Sequence, residues 1–108
     1  MPKAWLLLFL AGVCEIVWAI CLKYSQGFTR PLPTAAIFVF GFASFYLLSE
    51  AVVAIPIGTA YAVWTGIGAA GAVILGIILF AEPLTWLRVL FILLILSGIS
   101  GLRLTAPN

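Results

Sequence analysis

The sequence predicts an all-α membrane protein with four transmembrane helices, and three observations carry that prediction. The 108-residue chain is 66% hydrophobic and only 7% charged, far from the usual soluble balance. Its apolar stretches are each long enough to cross most of a hydrocarbon core of roughly 30 Å. Prolines, glycines and isolated charges interrupt those stretches at three places. In lipid, every backbone N–H and C=O needs an internal partner, so apolar segments of this length read as helices. A single four-helix domain over residues 1–108 leaves no room for an extramembrane module.

The first span runs from about Ala4 to Leu22. Its start has the look of a signal peptide, with Lys3, an apolar run and then small residues. Glu15 would break an h-region, so the segment is expected to be a permanent span. Lys23 to Pro33 is a polar connection with Gly and Pro turn chemistry. The second span runs from about Pro33 to Val52. Pro56 disfavours a helical Ile55 and suits the start of the third span, about Ile57 to Phe80. Ala81 to Thr85 is the last connection, with Thr85 as N-cap of a fourth span from about Trp86 to Leu104. Trp5, Tyr24, Phe28, Tyr46 and Trp86 fall near span ends, where amphipathic rings favour the interface.

Glu15 is the residue that points to function. It lies well inside the first span, where an acid costs on the order of 2.5–3.5 kcal/mol on insertion scales. Intramembrane ionisable groups mark ion or substrate pathways. Ala11, Gly12, Trp18 and Ala19 share its helix face, which leaves a gap beside the carboxylate. The third span offers Tyr61, Trp64, Thr65 and Gly68 on one face, and the second offers the hydroxyl of Ser44. Trp64 is too deep to be an interface anchor, so its N–H needs a buried acceptor, and Glu15 is the natural one. Gly66-Ile67-Gly68 is a candidate helix bend. The fourth span, mostly Leu, Ile, Val and Phe, has the look of a packing or dimerisation helix.

These groups suit a cation. A carboxylate supplies counter-charge, and the faces of Trp and Tyr attract cations. Desolvated carboxyls also bind protons more readily. A proton and a cationic substrate competing for one group suffice for coupled exchange. Other classes are poorly served. The net charge of +2, with its cations scattered singly, gives no nucleic-acid surface. Cys14 and Cys21 lie about 10 Å apart along one helix face, beyond the roughly 7 Å that a disulfide spans. With no histidine, a Cys/His metal site within one chain is excluded. There is no nucleophile–base pair or cofactor loop, so neither an enzyme nor a cofactor is expected.

The chain is also small for a transporter. Secondary transporters place their site between two related halves, and no internal repeat is seen in 108 residues. With the N-terminus inside, Lys3 and Arg103 lie inside against Lys23, Arg30 and Arg88 outside, so the positive-inside rule has almost no bias to act on. The missing half is most simply a second copy inserted the other way up.

Three segments then carry a resemblance over essentially the whole chain: Ala11-Gly-Val-Cys-Glu15-Ile-Val-Trp18-Ala, Leu22-Lys-Tyr-Ser-Gln-Gly-Phe-Thr-Arg30, and Pro56-Ile-Gly-Thr-Ala-Tyr61-Ala-Val-Trp64-Thr-Gly66-Ile-Gly68. Together they resemble the small multidrug resistance family of four-helix transporters. Trp18, the Trp64-Thr-Gly-Ile-Gly run and Glu82-Pro-Leu resemble its guanidinium-exporter subtype. Phe91 departs from the Gly often found there in the multidrug branch. The resemblance implies an antiparallel, dual-topology homodimer and proton-coupled export across the bacterial inner membrane. It implies Glu15 as the shared proton and substrate site, and Trp18, Ser44, Tyr61 and Trp64 as its network. It also implies a bend at Gly66 to Gly68 and dimer contacts from the fourth span. The expected partners are a small cation, protons, lipid and a second copy. Export of hydrophobic quaternary ammonium compounds is the alternative substrate reading, and a non-transporting membrane subunit is the alternative class.

Overall fold

The computed structural model describes residues 2–105 as four helices: α1 (Pro2–Ser25), α2 (Pro31–Ala51), α3 (Ile57–Phe80) and α4 (Trp86–Thr105). All four have the length and composition of a membrane span.

The helix ends follow local chemistry. α1 runs past Leu22 because Ser25 continues the turn, its hydroxyl donating to the Leu22 carbonyl at 2.8 Å. The Ser25 carbonyl then accepts from the amides of Thr29 and Arg30. Gln26, Gly27 and Phe28 all have positive φ, so the chain reverses within a few residues. α2 begins at Pro31, two residues before the expected Pro33, because proline at the first helical position loses no hydrogen bond. α3 ends at Ala81, left-handed with φ 55°, and the Glu82 amide reaches back to the Gly76 carbonyl at 3.3 Å. Thr85 caps α4, its hydroxyl accepting from the Arg88 amide at 3.2 Å.

The helices form a palisade rather than a closed bundle. α1 packs between α2 and α3, α2 and α3 meet only marginally, and the backbone of α4 approaches α3 alone. The resulting order, α2–α1–α3–α4, makes a slab with extents of 43 × 34 × 17 Å. Its core is small: Ala4, Leu8 and Ala11 of α1 meet Leu48, Ala51 and Ile55 on one side and Ala60, Val63 and Trp64 on the other. Phe38, Phe42, Phe45 and Tyr46 of α2 and most of α4 are left exposed. A single chain therefore presents broad apolar faces to lipid or to another chain.

Candidate functional site

Glu15 sits on the α1 face turned to α3. Its carboxyl lies against Gly68, so close that a methyl group added there would strike the carboxyl carbon and Oε1. The same seam repeats this fit twice: Ile67 of α3 fills the space beside Gly12, and Ile16 of α1 fills the space beside Gly71. Small residues let two helix backbones approach closely in lipid. Here they also make room for an acid. Glu15 Oε1 is buried and without a hydrogen-bond partner among the described residues, as is Trp18 Nε1. A buried, unpaired acceptor is costly, so this carboxyl is suited to taking up a proton or a cation.

A hydrogen-bonded relay stands beside it. Trp64 Nε1–H donates to Ser44 Oγ at 2.9 Å, and Ser44 Oγ–H donates to the Ala11 carbonyl at 2.7 Å. Ser44 and Ala11 are fully buried, and Trp64 is only 5% exposed. The relay joins α3, α2 and α1. It ends one helical turn before Glu15, about 6 Å along the α1 axis. With its only proton committed to Ala11 and one lone pair to Trp64, Ser44 keeps one acceptor position and no donor.

The network thus differs from the expected pairing. The Trp64 N–H, for which the sequence made Glu15 the natural acceptor, donates instead to Ser44, and the Ser44 hydroxyl proton goes to the Ala11 carbonyl. Ala11 is small and fully buried, which lets α2 come close enough for the Ser44 hydroxyl to reach the α1 backbone. Sequence reasoning missed that carbonyl, although Ala11 at i−4 of Glu15 was the available signal. It also missed Phe45, whose ring lies 5.3 Å from that of Trp64. Tyr61 packs on Trp64 at 5.6 Å but is 56% exposed, so within one chain it stands at the rim of the site. Trp18 lines a different space, a cavity of about 320 Å³ with Ile37, Phe38, Gly41, Phe42 and Phe45. α3 is helical without interruption through Gly66 and Gly68. Gly66 faces Ile99 of α4, just as Gly68 faces Glu15 of α1.

Comparison with known proteins gives the family. The family model described as Small Multidrug Resistance protein matches residues 3–95. A protein of Yersinia pseudotuberculosis serotype I (strain IP32953) named "Guanidinium exporter" is 52% identical over 103 residues, covering 95% of this chain and 99% of that one. A protein of Proteus vulgaris with the same name is 48% identical over 103 residues, with the same coverage. One of Citrobacter freundii, also so named, is 49% identical over 102 residues, 94% of this chain and 97% of that one. Four membrane-spanning helices, a mid-span acid in a glycine-lined seam and this match along most of the chain lead to one conclusion: the protein is a multi-pass membrane protein that belongs to the small multidrug resistance family.

Proposed function

We propose that this chain exports guanidinium and small guanidinyl cations in exchange for protons, as an antiparallel homodimer in a bacterial inner membrane. The observation that carries the reading is the half-buried Glu15 carboxyl, its Oε1 buried and without a partner among the described residues, one helical turn from the Ala11 carbonyl to which an acceptor-only Ser44 is tied. Guanidinium is planar, charged and rich in N–H donors, with no acceptor of its own. It therefore asks for a carboxylate, which it meets bidentately, and for further acceptors nearby. A donor aimed into the site would repel it, and the relay holds the donors of Trp64 and Ser44 elsewhere. The names of the relatives support the same substrate class.

Coupling follows from competition. A carboxyl that holds a proton cannot hold guanidinium, so proton arrival on one side releases the cation, and proton loss on the other readmits it. Two oppositely inserted copies bring both Glu15 residues near the midplane, and rocking of the pair exposes them to one side at a time. The palisade shape supports a second copy, because one chain leaves the site's flank open. The reading is tested in proteoliposomes under an imposed pH gradient, with cations from guanidinium to tetraphenylphosphonium. Gradient-driven guanidinium movement is the expected result. Movement of tetraphenylphosphonium without guanidinium would overturn it.

A second reading, export of hydrophobic quaternary ammonium cations, is favoured by one observation. The Trp18 cavity is walled by Phe38, Phe42 and Phe45, which suits a bulky apolar cation. The same panel separates the two.

A further inference from the structure

At the end of the slab where α1 begins and α4 ends, a groove of about 430 Å³ lies between α1, α3 and α4. Leu8 and Phe9, Val63 and Ile67, and Ile99 form its apolar walls, while Ser100 and Arg103 stand at its mouth. The Arg103 guanidinium is stacked over the Trp5 ring at 4.8 Å, which holds the charge at the groove's rim. Arg103 and Ser100 are exposed, and Arg103 makes no ion pair among the described residues. We propose that this groove binds an anionic phospholipid, its phosphate on Arg103 and Ser100 and one acyl chain along the apolar walls.

Three features favour this occupant. The groove is apolar along its length and cationic at the end where headgroups lie, the complement of an anionic lipid. Basic pockets between membrane helices are recognised lipid sites. Its volume falls within the range of ordinary ligand cavities, about 300–1,000 Å³. A second copy is the competing occupant, but the small residues that permit close helix contact stand elsewhere. At about 100° per residue, Gly98 and Gly101 lie on the flank of α4 opposite to that of Ser100 and Arg103. Among the described residues, no other part of the chain lies within 4 Å of a methyl group built at either glycine. A partner helix therefore has its own seam on α4 and leaves the groove open to lipid.

The test is native mass spectrometry of the full chain released from nanodiscs of equal phosphatidylglycerol and phosphatidylcholine. Wild type should retain phosphatidylglycerol about fivefold over phosphatidylcholine, the factor expected from about 1 kcal/mol per basic residue at a membrane surface. Arg103→Gln should bring the ratio near one, and Arg103→Lys should keep most of it. Ser100→Phe fills the groove without changing charge and should strip both lipids. No preference in wild type, or an unchanged ratio in Arg103→Gln, would overturn the proposal. So would efficient cross-linking between copies through Ser100→Cys in a Cys14→Ala, Cys21→Ala background, because that result gives the groove to a second chain.

Discussion

On α3, four glycines are filled by neighbours: Gly68 by Glu15, Gly71 by Ile16, Gly66 by Ile99 and Gly76 by Glu82. On α4, Gly98 and Gly101 have no such neighbour, and the helix buries no residue at all. Both helices are predominantly apolar and close in length. In lipid, apolar character gives no reason for one helix to seek another, so packing is decided by fit. The α1–α3 seam has fit, reached by pairing each missing side chain with a bulky one across the interface. The free flank of α4 has the same missing side chains and, among the described residues, nothing to fill them, as a surface kept for another molecule would.

The largest effect should come from the one charged member of the filled seam. Glu15→Gln keeps shape and removes both charge and titration. Folding should persist while cation transport and its proton coupling are lost, as read in proteoliposomes. Gradient-driven uptake that survives would remove Glu15 from the mechanism. In the wild-type protein, cation affinity should fall as pH drops through the Glu15 titration, because only the deprotonated carboxylate binds. A flat profile from acid to mildly alkaline pH would contradict competition at this group.

Next in size is the topology of the pair. Lysines added beyond Arg103 should bias chains toward termini-inside, and removal of Lys3 and Arg103 should bias them the other way. Each variant alone should transport poorly, and co-expression should restore activity. C-terminal reporters that place all wild-type copies on one side, together with full activity of the lysine-tagged variant alone, would end the antiparallel reading.

The glycines themselves then separate the two surfaces. Gly71→Ala sets a methyl group into the branched Ile16 side chain, and overpacking of this kind costs about 1–3 kcal/mol. Gly68→Ala meets only the movable end of Glu15, so it should reduce cation affinity while sparing stability. Gly98→Ala meets nothing and should leave the monomer's fold unchanged. Thermal unfolding in detergent distinguishes the three, and equal losses at Gly71 and Gly98 would erase the contrast between the seams.

Ser44→Ala leaves the Trp64 N–H buried without its acceptor and removes one acceptor from the site. Guanidinium binding should weaken by about 1–3 kcal/mol, and bulky apolar cations should lose less. Calorimetry with both ligand types checks this, and equal losses would argue against a hydrogen-bonded site. The smallest effect belongs to the start of α4. Thr85→Ala should cost about 1 kcal/mol of stability, since one cap is lost. The nearby Arg88–Glu82 pair, at 3.4 Å and partly exposed, contributes about 0–1 kcal/mol.

Much of this was legible in the chain itself. Four spans follow from hydropathy and proline placement, because lipid forces any long apolar segment to satisfy its own backbone. Glu15 stands out for the same reason: a charge in hydrocarbon is expensive enough to be read without a structure. What hydropathy cannot encode is adjacency, since all four helices are equally at ease in lipid. Only the tertiary structure decided that α1 stands between α2 and α3 and that the chain is a slab rather than a bundle. It alone turned Gly68 toward the acid, and it sent the Trp64 hydrogen to Ser44 and the Ser44 hydrogen to the Ala11 carbonyl instead of to Glu15. Those outcomes depend on the distance between backbones on different helices. That distance is set by which small residues meet which large ones, a matching that no single segment contains.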